Sequence, residues 1–357
     1  MRLKALSLMV AIVPLVATGF TAGSGSWTTA SMLTPRESQS AVQISATELL
    51  VTGGEGLGTS FFGDVIASSE SYNLKSNAWR FVGSMSTARV GQIAVRLGNG
   101  DVLVAGGQDT GADPLQTAET FSPRSYRWSL VASMPKPAAE QAAVILPDGQ
   151  VLVTGGIVAG KVSSQALLYN YRTNSWHFAA PMHHARAAHA SLLLPDGEVL
   201  VAGGSSPYAE IYQPKLNRWI PAGRPGERLF PAAMRVGTSD VLLAGGKLID
   251  GGCLASATLY LGGSRWISVS SMESRRCSPL STSLPNGRAL VGGGFDSTTS
   301  STIQEFDPRP MRWLPFPSLP GPRAAGTLTY MDGSIIAAGG TVEGDEIQTS
   351  VTRRISG

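Results

Sequence analysis

Seven times the chain writes an apolar run closed by two glycines. The copies are LLVTGG ending at Gly54, VLVAGG at Gly107, VLVTGG at Gly156, VLVAGG at Gly204, VLLAGG at Gly246, ALVGGG at Gly294 and IIAAGG at Gly340. Steps between the closing glycines run from 42 residues (204 to 246) to 53 (54 to 107). A fixed unit joined by loops of variable length is the mark of a repeat architecture. A unit this small cannot bury its own apolar faces, so it must stack on copies of itself.

A second mark keeps the same period. The seven tryptophans are Trp27, Trp79, Trp128, Trp176, Trp219, Trp266 and Trp313. Ahead of the last six stands an aromatic: Tyr72, Phe121, Tyr169, Tyr212, Tyr260 and Phe306. Arginines recur further on, at Arg36, Arg89, Arg186, Arg228, Arg276 and Arg323, with Ala138 in that place in one unit. Each unit reads as four strands. The first is small and apolar, as in AAHASLLLP (187–195). A turn such as PDG (147–149, 195–197) follows, where Gly accepts positive φ. The second strand is the continuous apolar run, expected to be buried on both faces, and its glycines let another backbone approach. The third strand alternates and the fourth carries Trp.

Double Gly, then Tyr or Phe, then Trp, at a period near 50, resembles the Kelch repeat. The resemblance covers about residues 26–357 and implies an all-β, seven-bladed Kelch-type β-propeller with four antiparallel strands per blade, similar to the central domain of galactose oxidase. The last unit stops without a Trp strand, whereas GSWTTASM (25–32) is a Trp strand without a unit. The Trp27 strand is therefore expected to complete the last blade and close the ring. Ser350 falls where that blade's third-strand aromatic belongs, so poorer packing is expected there.

Residues 1–23 read as a signal peptide: Arg2 and Lys4, an apolar stretch from Leu6 to Val16, then small residues. The alternative is an uncleaved anchor, for which the apolar run is short. Residues 24–357 form one propeller domain on this reading, exported to a secreted, periplasmic or extracellular location and monomeric. Losing Arg2 and Lys4 takes the formal net charge from +3 to +1, which gives no argument for nucleic acid or an anionic membrane. The only cysteines, Cys253 and Cys277, fall in loops expected on one face. A disulfide is predicted, against the alternative of two buried thiols.

No catalytic constellation, metal site or cofactor site is read from the sequence. All four histidines, His177, His183, His184 and His189, lie in one window. Three or four converging ligands are needed for a transition metal, and no carboxylate or Cys flanks them. Galactose oxidase uses a Cys–Tyr crosslink, a second Tyr and two His at copper. No position here matches the crosslinked Cys, so the resemblance does not carry that chemistry. The six repeated arginines precede the innermost strands and could ring the channel mouth as a binding site for an anion or polar polymer. Alternatively they bind backbone carbonyls in every blade. Phe61 and Phe62, in the long loop 55–70, are candidates for specificity. The resulting expectation is a module that binds a protein or glycan through its loop face. The alternative is a carbohydrate-active enzyme, an oxidoreductase or a sugar isomerase.

Overall fold

The computed structural model describes residues 27–56 and 64–342, and Val351–Arg354 as backbone. The signal-peptide segment, Phe61, Phe62 and Ser350 lie outside the described residues. The protein is an all-β propeller built of four-stranded antiparallel blades. Six blades are contiguous in the chain, and their strands lie in chain order from the innermost to the outermost. Blade 1, for example, runs Ser40–Ser45, Glu48–Thr52, Ser68–Asn73 and Ala78–Ser84. A further sheet joins both ends of the chain. In it Thr327–Met331, Ser334–Ala338 and Val351–Arg354 are completed by Trp27–Thr29, with Trp27 opposite Arg353.

The second strand of each blade is the apolar run, and Leu50, Leu103, Leu152, Leu200, Leu242, Leu290 and Ile336 are all fully buried. Burial on both faces explains why these strands are continuously apolar rather than alternating. Behind them the third-strand aromatic meets the fourth-strand Trp, as in Tyr169–Trp176, whose ring centroids are 4.7 Å apart. In the four blades carrying Trp176, Trp219, Trp266 and Trp313 the indole N–H then reaches the preceding blade: Trp219 donates to Ala180 O at 2.7 Å and Trp266 to Ala222 O at 2.6 Å, whereas the Trp79 and Trp128 nitrogens have no such partner. The repeated aromatic pair is thus a packing unit and, in those four blades, also a link between blades.

The paired glycines form the other link. The second glycine donates its N–H to the carbonyl at the repeated arginine position of the next blade. Gly54 bonds Arg89 O at 2.9 Å, Gly107 bonds Ala138 O at 2.9 Å and Gly156 bonds Arg186 O at 2.8 Å. The series continues round to Gly340, which bonds Arg36 O at 2.9 Å. The approach leaves no room for a side chain: a Cβ on Gly106 would lie 2.6 Å from Ala138 O, and Gly106 holds φ at +65°. Glycine is required there twice over, by contact and by conformation.

Candidate functional site

Two sets of loops emerge on one face: those joining strands two and three of a blade, and those that carry the chain from one blade's fourth strand to the next blade's first. The disulfide Cys253–Cys277 ties one loop of each set, with its Cα atoms 5.0 Å apart, within the usual disulfide range.

The six arginines sit beneath this face but do not line its mouth. Arg36, Arg89, Arg186 and Arg276 are fully buried, and Arg228 and Arg323 nearly so. Each turns outward along its own blade and donates to the carbonyl of the first glycine of the pair: Arg36 to Gly53, Arg89 to Gly106, Arg186 to Gly203, Arg228 to Gly245, Arg276 to Gly293 and Arg323 to Gly339. Most reach a third-strand carbonyl as well, as Arg89 does at Thr117 O, 3.0 Å. The expectation of an arginine-ringed binding mouth is therefore corrected. A guanidinium without solvent contact, with its Nη1 turned to carbonyls of its own blade, is not presented to a ligand at the mouth.

A repeated partner was missed in the sequence. Two residues before the third-strand aromatic stand Glu70, Glu119 and Glu210, which pair with Arg36, Arg89 and Arg186 at 2.9, 2.9 and 3.0 Å. Each carboxylate also accepts two successive backbone N–H groups from the turn entering its blade, Ser86 and Thr87 in the case of Glu119. Glu210 takes His183 N at 2.8 Å, His184 N at 3.1 Å and His183 Nδ1 at 2.7 Å. Burial alone would raise the Glu210 carboxyl, but the His183 hydrogen bonds and the Arg186 charge outweigh it and hold it below the usual range. The adjacent histidines lie in a loop rather than a strand, so both turn to one carboxylate. His189 is buried against Thr154 Oγ1 at 2.8 Å, and burial, reinforced by Arg186, keeps it neutral.

Inside the arginines lies a ring unlike them. The residue two places beyond each arginine position has positive φ: Ser38, Gly91, Glu140, Ala188, Phe230, Ser278 and Ala325, all between +47° and +67°. Backbone bonds join these residues between blades. Phe230 N donates to Ala188 O at 2.9 Å, Ala188 N to Glu140 O at 3.1 Å and Glu140 N to Gly91 O at 3.2 Å. On the other side Ser38 N donates to Ala325 O at 2.8 Å and Ala325 N to Ser278 O at 3.4 Å. The two arcs encircle the axis where the chain enters the innermost strands. Positive φ at six non-glycine residues is costly, and the shared backbone bonds hold it in place. The backbone is thus uniform while the side chains are not, and Glu140 is the only ionisable member.

Further out on the same face, Tyr208 is 41% exposed. The His184 ring stacks on it at 4.5 Å and the Arg224 guanidinium lies 5.3 Å from its centroid. No group of three His, Cys, Asp or Glu suited to a metal occurs among the described residues. Both cysteines are in the disulfide. A copper centre built on a Cys–Tyr crosslink therefore does not fit the residues present.

Comparisons with known proteins agree with this architecture. A family model for the Kelch motif matches residues 91–135 and 140–183. The fold is similar to that of a fungal alcohol oxidase of the AA5 family, solved in complex with copper: TM-score 0.74, 18% identity, 92% of this chain and 76% of that one covered. It is also similar to YjhT: TM-score 0.57, 16% identity, 74% of this chain and 94% of that one covered. At such identities the likeness is one of fold. Curated proteins give no match. The chain carries Kelch motifs over residues 91–135 and 140–183, and its β-propeller is similar in fold to that of the AA5 oxidase.

Proposed function

We propose that this protein is an exported, seven-bladed Kelch propeller that binds a protein or glycan ligand through the face carrying the two loop sets. The sheet made from both chain ends is its seventh blade. Its inner strand Thr327–Met331 packs between the inner strands Leu280–Ser283 and Ser40–Ser45, which supports a closed ring. Deleting residues 24–33 should then lower the melting temperature sharply by leaving an open sheet edge; an unchanged melt would argue against closure.

The observation that carries the binding reading is the His184–Tyr208–Arg224 stack. It is an exposed aromatic flanked by a cation and an imidazole, on loops and outside the repeat. Aromatic and arginine side chains of this kind anchor interfaces, and unrepeated loop residues are where a repeat scaffold places recognition. Screening the exported protein on a glycan array and against its extracellular protein neighbours tests the reading. Tyr208→Ala should abolish binding to any hit, whereas Phe178→Ala, on an outer strand, should leave it intact. Equal binding by both variants would count against the loop face.

A second reading, a carbohydrate-active enzyme, is favoured by one feature. Burial lifts the Glu140 carboxyl to about 7, where a general acid or base works. Turnover of sugar substrates that is lost in Glu140→Gln would establish it.

A further inference from the structure

We propose that the axial ring is a recognition site for a single ammonium or guanidinium group, with Glu140 as the carboxylate that receives it. This deepens the binding reading above by giving the face a central, charge-selective point.

The ring is an assembled feature rather than a loop accident. Seven residues with the same backbone conformation encircle the axis, five of the hydrogen bonds between them are observed, and only one member carries a charge. The flanks of Glu140 differ. On one side Gly91 contributes no side chain. On the other, Ala188 and Phe230 form a small buried apolar cluster with Leu229. Glu140 is half-buried, and its carboxylate has no hydrogen bond or ion pair among the described residues. None of the repeated arginines pairs with it: Arg89 and Arg186, on the flanking blades, turn their Nη groups to carbonyls, a hydroxyl and carboxylates of their own blades. Burial is the cause of its raised carboxyl, with no opposing cation.

Amides follow in the next layer. Directly after the ring residues stand Gln39 and Gln92, 2% and 1% exposed. Their amide nitrogens donate to Ala338 O at 2.7 Å and Thr52 O at 3.1 Å. Their amide oxygens have no partner, nor does that of Gln141, which follows Glu140. The unmet capacity of Glu140 itself is that of an acceptor. A carboxylate without a donor on the axis matches a ligand head that is positively charged and rich in N–H groups. A hydroxyl-rich neutral ligand or an anion would leave the Glu140 charge unbalanced. The head group can belong to a lysine or arginine side chain or to an amino sugar, and these share the chemistry.

The test uses the mature protein with 13C-labelled glutamate carboxyls and three small cations: n-butylammonium, n-propylguanidinium and glucosamine. Their neutral counterparts n-butanol and glucose serve as controls. At least one cation should shift the Glu140 resonance saturably and lower its titration midpoint from near 7, with the controls inert. Glu140→Gln, of nearly the same size, should bind that cation about tenfold or more weakly, with the amide spectrum preserved and no fall in melting temperature. The cation that binds most tightly identifies the source of the head group. No response to any of the three, equal response to cations and neutral controls, or undiminished binding by Glu140→Gln would each overturn the proposal. The two readings fail separately. Cation binding at Glu140 with no macromolecular hit sinks the module reading alone, whereas a hit lost in Tyr208→Ala but indifferent to Glu140→Gln sinks this one.

Discussion

Blades 2 (residues 93–131) and 3 (residues 142–178) share the same four-stranded backbone and solve the interior differently. Blade 2 buries Arg89 against Glu119 and ties the pair to the Gly106 and Thr117 carbonyls and the Ser86 and Thr87 N–H groups. Blade 3 has Ala138 in the arginine position and Leu167 in the glutamate position, both fully buried in one apolar cluster. Charge and counter-charge have gone together. The link to the preceding blade is untouched, since Gly107 N still bonds Ala138 O at 2.9 Å. An ion pair is therefore one way of filling this interior and is not needed for the ring. Blade 5 shows a third state. Arg228 keeps its carbonyl bonds, Thr258 stands where the carboxylate would be, and burial pulls the guanidinium down to about 10. The loop of that blade is the one held by the Cys253–Cys277 disulfide.

The largest expected effect comes from halving the pair in blade 2. Glu119→Ala should destabilise by about 3–5 kcal/mol in chemical denaturation, because Arg89 is left as an uncompensated buried charge. Arg89→Ala with Glu119→Leu, which copies blade 3, should recover most of that loss. Additive losses in the double variant would mean that blade 3 owes its stability to something else. Next in size, Cys253→Ser with Cys277→Ser should cost about 3 kcal/mol through release of the closed loop. A cost near zero would show that blade 5 does not depend on its covalent tie.

The last effect concerns Glu140 and has a sign set by its titration. Its folded-state carboxyl is raised from 4.5 to about 7, so the folded protein holds the proton more tightly than the unfolded chain. That contribution is fully present below about 4.5 and is lost as pH rises through about 7. Glu140→Gln should therefore raise stability at pH 8, by no more than about 3 kcal/mol and by less to the extent that solvent screens the half-buried carboxyl, and leave it unchanged at pH 4. The reverse pattern in melting temperatures would place a hidden cation beside the carboxylate.

Repetition made the scaffold readable. Gly54, Gly107 and their equivalents, the Trp series and the third-strand aromatics recur at one period because each serves the same contact in every blade. The Arg–Glu pairing was equally periodic, at two residues before the aromatic, but Leu167, Thr258 and Gln304 interrupt it, and an interrupted series is hard to see in a single sequence. The arginines were placed at the mouth because they precede the inner strands. Sequence position does not reveal which way a long side chain turns, and theirs turn outward to the carbonyls of the glycine pairs. Glu140 left no periodic trace at all. Its significance comes from six non-ionisable counterparts, and only the blade-to-blade hydrogen bonds bring those together.

The account assigns repeated polar residues to the scaffold and the unrepeated carboxylate to recognition. The most direct measurement compares Arg276→Met and Glu140→Gln side by side, for stability and for binding of the cation that answers in the wild type. The account predicts a crossed result. Arg276→Met loses about 1–3 kcal/mol because buried carbonyls are left unpaired, yet keeps its affinity for the cation. Glu140→Gln loses no stability and loses the cation. A stable Arg276→Met that no longer binds, beside a Glu140→Gln that still does, would contradict it.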